Sequence, residues 1–276
     1  MTNEPEVGTS TRSIPVEGLI RMIVEHPDRR EAFLDEIASW PQADQDDAEL
    51  SSIANEPAAV DLVPAPVPFA RPPLPAQTFI DAEGQVIHYG SRWGDESPPE
   101  DAYSRETHPE RFAPVLSVVD ALIDHLETWY VVDVERRTDD RGTPVTHLRP
   151  STGAPITLRS TDVGIDVEAG ALFRERMPGC TCDACDETAA TVADRLEETV
   201  LAIAAGGLRE VFPIGRQRWV HTRILGVGGD RSSSGAPDPS LSSERLDAAA
   251  KDLGRLRDGW WPAWSLRPGR SAQIPR

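Results

Sequence analysis

YVVDVERRTDDRGTPVTHLRPSTGAPITLRSTDVGIDVEAGALF, residues 130–173, is the stretch on which the fold turns. It contains four runs in which apolar and polar residues alternate: YVVDVERR, PVTHLR, PITLRS and VGIDVEAGALF. TDDRGT and STGA between them are turn chemistry, and the runs are short enough to form the strands of an antiparallel meander. The pattern predicts an antiparallel four-stranded meander with one apolar face. Because strand side chains point to opposite faces in turn, His147 and Leu148 belong to opposite faces of that sheet.

On either side of this stretch the period changes from two to about 3.6. From Pro109 to Trp129, Phe112, Val115, Val119, Leu122, Leu126 and Trp129 form one stripe, while Asp120, Asp124 and Glu127 lie away from it. Pro114 removes an amide donor and makes the first turn irregular. From Thr188 to Ala205, Ala189, Val192, Leu196, Val200 and Ile203 form a second stripe, which ends at Gly206-Gly207. The expected fold class is therefore α+β, with an α-β4-α core. Further out, TFID-AEGQ-VIHYG reads as two short strands about Gly84, and REVFPIGRQRWVHTRILGV supplies one or two more strands. A Ser/Gly/Pro-rich loop is expected over 228–239 and a last amphipathic helix over 242–256.

Two short helical patterns between Ile14 and Trp40, parted near Pro27, predict a small hairpin. PAAVDLVPAPVPFARPPLP follows and favours an extended, semi-rigid linker. The expected organisation is thus an N-terminal hairpin with a disordered start over 1–55, a proline-rich linker over 56–76 and a main domain over 77–270. The irregular loop RWGDESPPEDAYS needs side-chain anchors, for which Trp93 and Tyr103 are the candidates.

The formal charge of -18 over 276 residues repels phosphate backbones and anionic lipid headgroups, so neither nucleic acid nor membrane is an expected partner. No apolar run approaches the roughly 18 residues of a membrane span, and MTNEPEVGTSTRS has no basic n-region or apolar h-region. A cytoplasmic location is expected, with an unidentified protein as the partner.

All three cysteines fall within PGCTCDACDE, between the last strand pattern and a helix start. Cys180, Cys182 and Cys185 are spaced so that their thiolates converge on one tetrahedral ion about 2.3 Å from each sulfur, which makes Zn2+ the expected cofactor. A fourth ligand is sought among Asp183, Asp186, His147, His221 and His108. Three other readings stay open: a Cys182–Cys185 redox pair, a cysteine nucleophile, and a tight turn whose thiols are simply buried. Asp183, Asp186 and Glu187 count against an activated thiolate, because like charge raises thiol pKa.

His108 reads first as a loop anchor, His125 as packing and His147 as a cross-strand contact. The phosphate loop, the nucleophile elbow, the dinucleotide fingerprint and the zinc-protease helix are absent from the sequence, so no catalytic residue is assigned. The expected function is a non-catalytic binding protein, with an enzyme or thiol-redox protein centred on the cysteines as the alternative. The terminal RDGWWPAW is expected to fold back over a core.

RWGDESPPEDAYSRETHPERFAPVL, PGCTCDACDETAATVADRLEETVLAIAAGGLRE and RDGWWPAWSLRP together resemble a family of uncharacterised actinobacterial proteins defined only as a domain of unknown function, over about residues 76–267. The resemblance implies a shared module with the cysteine cluster as its signature, and it brings no activity or ligand. PVEGLIRMIVEHPDRREAFLDEIAS with DDAELSSI resembles the helical leader-like segments of nitrile-hydratase-type and nitrogen-fixation-type peptide precursors, without the Asp-Pro that usually follows Phe-Leu.

Overall fold

The structure, a computed structural model, describes residues 66–270 together with Leu50 and Ile53. The expected N-terminal hairpin and the first part of the proline-rich segment lie outside the described residues. The chain opens with a small ribbon, β1 (Phe79–Ile80) and β2 (Val86–Ile87), joined by a turn through Gly84. The Asp81 carboxylate accepts the N–H groups of Glu83 and Gln85 and closes that turn.

Two 3-10 turns, Glu100–Ser104 and Pro109–Phe112, lead into α1 (Val115–Trp129). Pro114 sits at the N-cap of α1, so the helix starts where amide donors resume. Its buried face is Val115, Val118, Val119, Leu122, Ile123 and Leu126.

The meander follows as β3 (Val132–Thr138), β4 (Pro144–Pro150), β5 (Ile156–Thr161), β6 (Gly164–Ala169) and β7 (Phe173–Met177). All neighbours are antiparallel and in sequence order. The α+β class stands, but the sheet has five strands because VGIDVEAGALF divides into β6 and the start of β7. The buried carboxylate of Glu210 accepts the N–H groups of Ala171, Leu172 and Phe173 and folds the chain back on itself. Gly170 takes a φ of +58 at that bend, and a Cβ there would lie 2.0 Å from a Glu210 oxygen.

One face of the sheet presents Leu148, Ile156, Leu158, Ile165, Val167, Phe173 and Met177, all buried with α1 and α2 (Ala189–Ala204) in the main core. The other face carries Glu135, His147, Thr157, Glu168 and Arg174, aligned across all five strands by the register. The two-residue alternation read from the sequence is what separates these faces.

α2 lies against α1 and also against β9 of a second sheet. That sheet has the order β10-β9-β8, from β8 (Leu208–Ile214), β9 (Trp219–Gly226) and β10 (Gly229–Gly235). Most of the loop expected over 228–239 is therefore a strand, Gly229–Gly235. β10 is a mostly exposed polar edge, so it lacks the alternating apolar residues that mark a strand in sequence.

α3 (Ser243–Leu253) is capped by the Ser242 hydroxyl on the Arg245 N–H and packs on β8 through Ala249 and Leu253. The tryptophan segment folds back as expected. The Trp264 indole donates to the Ala154 carbonyl at 2.9 Å, and the Trp261 indole donates to Glu210 at 2.6 Å.

The end of the proline-rich segment also lies on this body. Val67 is buried in the main core, Phe69 meets His125 of α1 edge-on, and Arg71 pairs with Asp194 and Glu197 of α2. No helix among the described residues is long and apolar enough to cross a membrane.

Candidate metal centre

Between β7 and α2 the chain runs through Pro178–Thr188, with a 3-10 turn at Asp183–Cys185. The turn closes at Asp186, whose φ of +52 is left-handed, a conformation that Asp tolerates better than most residues. Thr188 then caps α2: its hydroxyl accepts the Thr191 N–H and the Thr191 hydroxyl accepts the Thr188 N–H. The turn and the cap bring the three sulfurs to within 4.8 Å of one another. The Cys182 and Cys185 sulfurs are 3.5 Å apart, and the Cys182 N–H points at the Cys180 sulfur at 3.4 Å. All three thiols are free; Cys182 is buried while Cys180 and Cys185 are exposed.

The knuckle is held by the loop that precedes α1. The Asp183 side chain has no exposed surface; one of its oxygens accepts the N–H of Thr107 at 2.8 Å and the Thr107 hydroxyl at 2.7 Å. Its other oxygen faces Arg92 at 3.4 Å and Arg105 at 3.9 Å. Burial alone raises the Asp183 pKa, but the Thr107 donors and the two guanidinium groups outweigh it and hold the carboxyl below its usual range. The Asp183 N–H donates to the Arg105 carbonyl, and the Trp93 indole donates to the Asp183 carbonyl. Cys182, Ala184, Ala102 and Trp93 form a small apolar cluster of their own. Of the two expected loop anchors, Trp93 fills that role. Tyr103 is 62% exposed and does not, because it lies on the outer side of its 3-10 turn.

Arg111 completes the frame. Only 2% exposed, it donates to the carbonyls of Thr181 and Glu187 on the knuckle and to those of Thr107 and His108 on the loop. Its guanidinium lies over the rings of Tyr89 at 4.4 Å and Phe112 at 4.2 Å. Sequence reasoning missed both Arg111 and Thr107. Within ETHPERF an inward-facing arginine looks the same as a solvated one, since the carbonyls it serves come from 70 and 76 residues away.

The sulfurs differ in their electrostatics. The Cys180 contact lowers the Cys182 pKa, whereas burial and then the two neighbouring thiols push Cys185 up to about 12. Three such thiols give up their protons together only where a cation compensates the charge.

The converging group consists of the three sulfurs, and the other candidate ligands make separate contacts. Asp186 accepts the Arg92 N–H at 2.8 Å through one oxygen, and its other oxygen is buried with no hydrogen-bond partner. His108 bridges the Glu110 carboxylate and the Ile80 carbonyl, the loop-anchoring role expected of it. His147 meets the Thr157 hydroxyl through Nδ1 on the outer face of the five-stranded sheet. His221, with no exposed surface, meets the Ser234 hydroxyl in the other sheet. His125 packs between Phe69 and Trp129, as expected.

These features define an α+β protein with a three-thiol knuckle set between a sheet edge and a helix N-terminus. The chain belongs to a family of unknown function, DUF6226, whose model matches residues 75–268, so the family unit holds the knuckle, its clamping loop and the tryptophan segment together. No curated protein and no solved structure matches the chain.

Proposed function

We propose that this chain is a non-catalytic binding protein whose Cys180, Cys182 and Cys185 thiolates hold Zn2+ as a structural staple. The observation that carries the proposal is the convergence of the three sulfurs to within 4.8 Å. Tetrahedral ligands about 2.3 Å from zinc lie roughly 3.8 Å apart, so closing on the ion needs only small side-chain rotations. The setting supports a structural role. Asp183, Trp93 and Arg111 join this turn to a loop 70 to 90 residues earlier, and an ion there fixes two otherwise irregular segments at once. Asp186, adjacent to Cys185 and with one buried oxygen free of hydrogen bonds, is the candidate for the fourth position.

A protein partner is the proposed target, and the outer face of the five-stranded sheet is the proposed contact surface. Its polar row from Glu135 to Arg174 lies opposite the face that packs on the helices. The 3.5 Å between the Cys182 and Cys185 sulfurs supports a second reading, a reversible disulfide. Metal content together with a free-thiol count separates the two. A structural site gives about one zinc per chain and protected thiols, and a redox site gives no metal and loses two thiols on mild oxidation.

A further inference from the structure

The outer face of the five-stranded sheet contains a cavity of about 250 Å³, set between strands β4 to β7 and the first turn of α3. His147, Arg149, Thr157, Glu168, Arg174 and Arg245 supply its polar lining. Register places the first five in one neighbourhood: His147 pairs with Thr157, Thr157 with Glu168, and Glu168 with Arg174, while Arg149 is two residues along β4 from His147. Arg245 arrives from α3, whose packing on the 171–172 turn overhangs the β6–β7 end of the sheet.

Two properties set this cavity apart. Three arginines, Arg149, Arg174 and Arg245, line it with one carboxylate, Glu168, which lies 3.7 Å from Arg174. Arg149 is matched by Glu135 at 2.7 Å and Arg174 by Asp238 at 2.6 Å. Arg245 donates to the Ala171 carbonyl at 3.1 Å and has no carboxylate within ion-pair distance among the described residues. The second property is His147. Its Nδ1 is bonded to Thr157, while its Nε2 is buried with no hydrogen-bond partner, a costly arrangement that calls for a ligand atom. Burial, then Arg137 and Arg149, lower its pKa, so the neutral imidazole offers that nitrogen as a hydrogen-bonding group.

We infer that this cavity binds a small oxyanion-bearing molecule, with the anion on the Arg245 guanidinium and a second polar group on His147 Nε2. A planar guanidinium suits paired oxygens of a carboxylate or phosphate. At about 30 Å³ per small polar atom group, the volume holds on the order of eight such groups, the size of a small organic acid or a phosphate ester. The inference stands independently of the thiol site, which lies at the other end of β7.

The test is calorimetric titration of the full chain with succinate and, separately, with inorganic phosphate, using Arg245→Met, His147→Val and Arg176→Met. Arg176 lies on the same sheet face and outside the cavity lining. The expected result is saturable binding of at least one probe below about 10 mM. Arg245→Met and His147→Val are expected to weaken it about tenfold or more, with Arg176→Met unchanged. Binding of succinate alone identifies a carboxylate ligand and of phosphate alone a phosphate ester; either supports the site. Melting temperatures without probe confirm that the variants are folded. No heat from either probe overturns the inference, as does binding that Arg245→Met leaves intact or that Arg176→Met reduces equally.

Discussion

Thr107 gives both its backbone N–H and its hydroxyl to one oxygen of Asp183, at 2.8 and 2.7 Å, and so fastens the loop before α1 to the middle of the cysteine run. Asp183 has no exposed surface, and its remaining oxygen depends on Arg92 and Arg105. Removing the carboxylate leaves buried donors and a guanidinium without their acceptor. Asp183→Ala is expected to cost about 3 kcal/mol or more in urea unfolding, and Thr107→Val about 1 to 2 kcal/mol. Equal, small effects for both would show that the clamp carries little of the stability.

Arg111 tests the same frame from the other side. Arg111→Met removes the guanidinium from the rings of Tyr89 and Phe112 and leaves the carbonyls of Thr181 and Glu187 unpaired. Faster amide exchange confined to 178–188 and 100–112 is expected, with exchange in β4 to β6 unchanged. Uniform acceleration across the chain would mean that Arg111 serves the global core rather than the knuckle.

Glu210 accepts four N–H donors, from Ala171, Leu172, Phe173 and Trp261, and every one points at an oxygen. Burial outweighs those donors and raises its pKa above the usual carboxylate range. Glu210→Gln turns one oxygen into an NH2 group facing other N–H groups, and a loss of about 2 to 4 kcal/mol is expected in urea unfolding. Gly170→Ala should be comparably damaging, because its Cβ falls on the carboxylate at a positive φ. A neutral result for Glu210→Gln would show that the carboxyl is protonated in the fold.

His221 makes stability depend on pH. Burial first, then Arg209 and Arg223, lower its pKa to about 4 from the ordinary imidazole value of 6.5. Between those values the unfolded chain binds a proton that the folded chain does not, so stability rises with pH across that window. The contribution is complete above about 6.5 and is lost as pH falls toward 4, at most about 3 to 4 kcal/mol. Asp183 adds a further acid loss below this range, since its folded pKa is depressed and its contribution disappears as pH falls through it. His221→Gln is expected to flatten the stability profile between pH 5 and about 7 relative to the parent. An unchanged slope would contradict the assignment.

The parts of the fold that bury one face were legible in the sequence. α1, α2 and the meander announce themselves because burial forces apolar residues to repeat with the element's own period. The same rule hid β10, whose serines and glycines pair fully with β9 as a polar edge. It also hid the break at Gly170, which a carboxylate 40 residues further on imposes. At the thiol site, spacing alone identified Cys180, Cys182 and Cys185. The frame around them was not legible, because Arg111 serves backbone carbonyls, and Thr107 and Arg92 serve carboxylates, that are distant in sequence, and nothing local distinguishes such residues from solvated ones.

A zinc ion held by the three sulfurs is what we propose joins the two irregular segments. Metal analysis of the full chain, purified without a chelating tag, tests it most directly beside Cys182→Ser under reducing conditions. About one zinc per chain is expected in the parent, and in the variant loss of the metal with a lower melting temperature. A parent free of metal, with three readily titrated thiols and the same melting temperature as Cys182→Ser, would contradict it.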